Sequence, residues 1–173
     1  MKKVWFKLSK KNINFLIGYY VTLLIISLSL TIIILLNKSI DLSFEPTISF
    51  LSIAGGIGTS LIGCTMFYLR KLYKSCINSE MKAPTSDEDL VREIGVRAYF
   101  FLRPIFAIVF SILIYIVLQA NIYIVAVKET TLADGFIYMT MLLSFFAGFA
   151  SGDLISYFES KSAEIVTKIF NKN

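Results

Sequence analysis

Histidine is absent from all 173 residues, and that single absence removes a large share of enzyme chemistry. Ser-His-Asp and Cys-His nucleophile systems, histidine-ligated zinc and histidine-dependent ribonuclease sites all need an imidazole. Cysteine is nearly absent too: Cys64 lies inside the second apolar run and Cys76 just beyond it, which is too few for a disulfide or metal framework. Charge is scarce, with Asp, Glu, Lys and Arg making up 17% of the chain, and it falls almost wholly between four long apolar runs. Ionised groups are excluded from hydrocarbon in this way. No carboxylate pair lies mid-run and no nucleophile has an evident base, so the chain reads as a non-enzyme. The middles of the runs hold no ionisable group other than tyrosine, which argues against proton-coupled transport. No internal repeat or low-complexity linker divides the chain, so residues 1–173 form a single domain.

What is present is apolar. Hydrophobic residues make up 56% of the chain and aromatics 14%, with a mean hydropathy of +0.72. A water-facing surface cannot be built from such a composition. The reading is an all-α integral membrane protein, a four-helix bundle with spans at about 13–36, 47–69, 105–127 and 135–158, and short amphipathic surface helices at its edges. The basic start is followed by a 24-residue apolar run with no small-residue cleavage site at its end, so the first span is expected to be retained. Within it, Thr22, Ser27, Ser29 and Thr31 can bond their own helix carbonyls.

Small residues crowd the second run. On a 3.6-residue period Ser52, Gly56, Ser60 and Cys64 form one stripe, and Gly55, Thr59 and Gly63 form another beside it. In lipid, close backbone approach across such a face is how helices associate. The face either packs within its own bundle or meets a copy of itself around an oligomer or a pore. The fourth run repeats the device: Ser144, Gly148, Gly152 and Ser156 are each four apart, which makes it the natural partner of the second. The run Gly55-Gly56-Ile57-Gly58-Thr59-Ser60 lacks the lysine of a phosphate loop, and no cofactor site is expected.

The hydrophilic stretch between the second and third runs carries helix-start signals. Thr85 with Glu88, or Ser86 with Asp89, stand at capping-box spacing. Leu90, Val91, Ile94 and Ala98 then recur at helical spacing, with Arg92, Glu93 and Arg97 elsewhere on the helix. This segment is either a lead-in at the membrane surface or a docking surface for a soluble partner, with Asp87, Glu88, Asp89 and Arg92 as the residues that would carry it. Pro104 should start or kink the helix that follows. Gln119 and Asn121 either mark the edge of the hydrocarbon or bond across helices. The tail from Glu159 to Asn173 has the pattern of an amphipathic surface helix.

Of the 17 Lys and Arg residues, 15 lie before the first run, between the second and third, or in the tail. Positive loops stay inside, so both termini and residues 70–104 are expected to be cytoplasmic. Basic residues flank spans instead of forming a stripe, which speaks against direct nucleic-acid binding. On this orientation Asp153 approaches the inner interface at a depth that Arg70 and Arg103 also reach, so it either pairs with one of them, is simply exposed at the interface, or gates the inner mouth.

Arg103-Pro104-Ile105 opening a span, then Tyr115, then Phe145-Phe146-Ala147-Gly148-Phe149 in the last span, resembles small bacterial four-helix membrane modules of anti-phage defence systems, of the Kiwa membrane-subunit type. The resemblance covers roughly the second half of the chain. It implies a homo-oligomer in the bacterial inner membrane with a soluble cytoplasmic partner. The functional expectation is a non-enzymatic membrane component of a multi-protein assembly, in defence or envelope sensing. A pore-forming or channel-like effector and a small secondary transporter are the alternatives.

Overall fold

The computed structural model describes residues 6–36, 47–78, 81–125, 134–155, 157 and 161. Expectations for the 37–46 loop with Pro46, for the loop around 126–133, for Ser156 and for nearly all of the tail lie outside the described residues. Within them the chain is helical except for one two-residue parallel pairing and short connecting turns. The helices are α1 (Lys10–Leu36), α2 (Ile48–Ile77), α3 (Asp87–Val125) and α4 (Asp134–Phe149); the paired segments are β1 (Phe6–Lys7) and β2 (Met81–Lys82), with Phe6 opposite Met81.

Three helices, α1, α2 and α3, are long and apolar enough to cross a membrane, and α4 is a shorter apolar helix. This is compatible with a multi-pass membrane protein. The outward surface consists of large apolar side chains such as Ile25, Ile33, Ile116 and Phe146, which suits contact with acyl chains.

Local chemistry sets the ends. Thr47 caps α2, its hydroxyl accepting from the Phe50 N–H at 3.3 Å. At α3 the cap is Ser86, which accepts from the Asp89 N–H at 3.3 Å, while the Asp89 carboxylate takes the Thr85 N–H and hydroxyl, each at 3.0 Å. The Ser86 alternative of the two capping spacings is therefore the one used. α3 does not start at Pro104. It runs through the proline from Asp87 as 39 residues, about 58 Å at 1.5 Å per residue, far more than the roughly 30 Å of a hydrocarbon core. α4 is interrupted at Ala150, whose carbonyl accepts from both the Asp153 and Leu154 N–H groups at 3.0 Å, and helix resumes over 151–155. Gly148, Ser151 and Gly152 around the break offer little side-chain resistance to it.

α2 is the central helix. In its most apolar stretch 56% of residues are buried, against 22% in α1 and 28% in α3. It packs on α4 most extensively, then on α1 and α3. A core of Leu16, Tyr20, Cys64, Tyr68, Leu72, Phe100 and Ala107 gathers near one end, and a smaller cluster of Ile34, Ile137 and Met141 near the other.

Candidate functional site

The small-residue face is filled by the chain itself. A Cβ on Gly148 would fall on the Ser60 backbone, and one on Gly63 would strike the backbone of Phe145 and Phe149. Gly55 lies under Met141, whose Cγ would be 2.9 Å from an added Cβ, and Gly56 lies under Ser111 Oγ and Ser144 Oγ, at 2.8 and 3.0 Å. Gly58 does the same toward α1, against Thr31 Oγ1 at 2.7 Å. α2 and α4 are therefore in near backbone contact along this seam. Its glycines are required by space and not by backbone conformation.

The hydroxyls of the face turn inward as well. Ser60 donates to the Ala107 carbonyl at 2.6 Å and Thr59 to the Met141 carbonyl at 2.7 Å, bonding α2 to α3 and to α4. Ser111 and Ser144 hydroxyls pair at 3.1 Å, and Ser52 bonds back to the Ile48 carbonyl at 2.8 Å. These hydroxyls thereby serve contacts within the one chain. Of the two readings left open for Ser52, Gly55, Gly56, Thr59, Ser60, Gly63, Ser144 and Gly148, packing within the chain's own bundle is the one seen in the single chain described. Asn121 bonds within its own helix, to the Val117 carbonyl at 2.8 Å, and not across helices.

A second seam joins α1 to α3 and escaped the sequence reading. Pro104 has no N–H, so the Phe100 carbonyl one turn back loses its helical partner, and the ring crowds that turn. Tyr20, fully buried on α1, donates its hydroxyl to the Phe100 carbonyl, and Tyr19 reaches the next carbonyl, Phe101, at a long 3.5 Å. Tyr19 also stacks on Phe101 with 5.0 Å between ring centroids, and Tyr20 stacks on Tyr68 of α2 at 6.1 Å. The signal was available: two adjacent tyrosines in a mostly aliphatic span, and a proline inside a continuing helical pattern.

The polar end of the helices holds the remaining chemistry. Arg103 is buried, with its guanidinium carbon 4.1 Å from the centroid of the Tyr99 ring one turn earlier and 5.8 Å from that of Tyr68. Helix side chains lean toward the N-terminus, which directs Arg103 back over Tyr99 and toward the polar end. Gly152 makes room there, since an added Cβ would stand 2.6 Å from the Tyr68 hydroxyl oxygen. Among the described residues Tyr68 Oη, Arg103 Nη1 and Ser151 Oγ are buried without hydrogen-bond partners. Asp153 and Arg70 are exposed, and among the described residues no ion pair joins Asp153 to Arg70 or Arg103. The ion pair is therefore replaced by a cation packed on tyrosine rings.

Just beyond, α3 holds the N-terminal segment. Glu93 Oε1 accepts from the Ser9 N–H at 2.6 Å and from Asn12 Nδ2 at 2.8 Å. Ser9 is itself the cap of α1, accepting from the Asn12 N–H at 3.4 Å, so Glu93 completes a capping box from another helix. The Ser9 backbone N–H, then Asn12, hold the Glu93 carboxyl below the usual glutamate range. Of the residues expected to dock a partner, Asp87, Glu88 and Arg92 are exposed, while Asp89 is engaged in the α3 cap. The helical positions Leu90, Val91 and Ile94 are exposed, and Glu93 is the buried one, so the apolar side of this segment faces away from the protein. No group of three or more Cys, Asp or Glu side chains that could hold a metal occurs among the described residues.

No family model, curated protein or solved structure matches this chain.

Proposed function

We propose that this chain is a non-enzymatic, multi-pass component of a bacterial inner membrane, a four-helix bundle with both termini and the 70–104 segment in the cytoplasm, and that it holds a soluble partner on the polar extension of α3. The observation that carries this reading is that extension. α3 continues as helix for about three turns outside its apolar stretch, with Leu90, Val91 and Ile94 exposed beside Asp87, Glu88 and Arg92. Glu93 ties the extension to Ser9 and Asn12, so the surface is braced. The resemblance to small membrane modules of anti-phage systems points the same way. In this reading the small-residue faces hold one chain together and do not join copies.

Two measurements test it. Cys76 is exposed and Cys64 is fully buried, so the wild-type chain carries its own topology reporter. A membrane-impermeant maleimide should label Cys76 in inverted vesicles and not in spheroplasts; the reverse pattern would overturn the orientation. For the partner, native mass spectrometry of the tagged chain, expressed with its neighbouring genes, should show a stoichiometric soluble subunit that Val91→Asp with Ile94→Asp removes. A chain that carries no subunit but conducts ions in liposomes would replace this reading with the channel.

A further inference from the structure

The outward side of the α3 extension has a regular spacing. Val91, Ile94, Ala98 and Phe101 are all exposed and stand three and four residues apart in turn, with exposed Asp87 four residues before Val91. Such an alternation averages 3.5 residues, the repeat that one helix presents to another lying along it. Ile94, Ala98 and Phe101 also border an open groove of about 370 Å³, which Phe15 and Leu16 of α1 line from the other helix and Arg97 lines as well. Glu93 holds α3 against Ser9 and Asn12 at the start of α1, so the groove is braced before anything enters it.

Charge and position select the occupant. The stripe begins at Asp87 and Glu88, both exposed, while Asp89 is turned into the helix cap. Two copies of this chain in one membrane run α3 in the same direction, so their stripes would meet in parallel, with Asp87 against Asp87, and like charges so placed repel. Acyl chains suit the Phe101 end, but Val91 lies about 15 Å further out along the helix at 1.5 Å per residue. A helix of another protein, apolar along one side and basic at one end, meets neither conflict. We propose that the stripe and groove take an amphipathic helix of the soluble partner, packed along α3 from Asp87 to Phe101. Its large apolar side chains seat among Val91, Ile94 and Ala98, and its lysine or arginine lies beside Asp87 and Glu88. This deepens the partner reading and rests on it.

The probe is a fluorescent three-heptad peptide with leucine at its first and fourth heptad positions and lysines flanking one end; a second peptide carries glutamates in their place. Anisotropy with the full chain in phosphatidylcholine nanodiscs should favour the lysine peptide about fivefold. Asp87→Lys with Glu88→Lys should reverse the preference, a gain that a misfolded variant could not show. Val91→Asp with Ile94→Asp should remove binding of both peptides. Asp153→Lys reverses an exposed acid beyond the break in α4 and should leave the preference unaltered. Absence of binding, equal binding of the two peptides, or an equal shift in Asp153→Lys would overturn the site. On a Cys76→Ser chain, Val91→Cys tests the other occupants: a disulfide-linked dimer would give the stripe to a second copy, and quenching of a bimane there by brominated lipid would give it to the bilayer. If no soluble subunit accompanies the wild-type chain in native mass spectra, the partner reading itself fails; a subunit present there while the peptides fail defeats the helix assignment alone.

Discussion

The α2–α4 seam and the α1–α3 seam meet the same demand by opposite means. Between α2 and α4 the side chains are all but removed: Gly148 rests on the Ser60 backbone and Gly63 on that of Phe145. The two backbones then approach closely and short hydroxyls bond to carbonyls across the gap. Between α1 and α3 large side chains are kept, and Tyr20 carries its hydroxyl to the Phe100 carbonyl, one turn before Pro104, whose missing N–H cannot serve it. A membrane helix cannot leave a backbone polar group unmet in hydrocarbon. One seam prevents the problem through proximity, and the other repairs it with an aromatic arm.

The largest effect that would break this comparison comes at Gly148. Gly148→Leu places atoms on the Ser60 backbone, which cannot rotate away, and should cost roughly 3 kcal/mol or more. Gly18→Leu on α1 meets nothing within 4 Å of its Cβ and should leave stability unchanged. Reversible unfolding in mixed micelles measures both; similar losses in the two variants would erase the distinction between the seams.

Tyr20→Phe should cost about 1–2 kcal/mol, since it removes the buried hydrogen bond from Tyr20 to the Phe100 carbonyl. In a Pro104→Ala background residue 104 regains its N–H and can bond that carbonyl, so the same substitution should cost much less. A double-mutant cycle reads the difference, and additive losses would mean that Tyr20 does not answer for the proline.

Removing the hydroxyl pair with Ser144→Ala should cost only about 0.6 kcal/mol, the ordinary worth of a hydrogen bond between membrane helices.

The smallest expected effect is local and lies outside both seams. The Glu93 carboxyl is held below its usual range because its charged form accepts from Ser9 and Asn12. A lowered folded-state value means a stabilising contribution that is full above the unfolded value of about 4.3 and lost as pH falls through the lower folded one. The protection of the Ser9 amide against exchange, taken relative to its intrinsic rate at each pH, should therefore fall on acidification below about pH 4 in the wild type. Glu93→Gln should show low protection already at neutral pH, with little further change in protection on acidification, and matching protection profiles for the two proteins would separate Glu93 from this contact.

Much of the architecture was legible in the residues. Apolar length marked α1, α2 and α3, because a stretch that can cross hydrocarbon must be long and free of charge. Small-residue spacing marked the faces of α2 and α4, since a fixed helical period decides which residues share a stripe whatever the surroundings. Ser86 and Asp89 marked the start of α3, as capping is settled within one turn.

What those faces meet was a different question. A stripe of glycine states that something comes close, and only the tertiary structure decides that the neighbour is Ser60 of the same chain. The donor that meets the Phe100 carbonyl, Tyr20, likewise lies on another helix, 80 residues away in sequence, and the fate of Arg103 depended on whether Asp153 or Tyr99 lay within its reach. The sequence by itself determined where the helices run and which sides of them are small, apolar or charged, because those follow from local period and from solvent. Tertiary structure decided which side touches which, because that depends on how the packed helices turn and slide against one another.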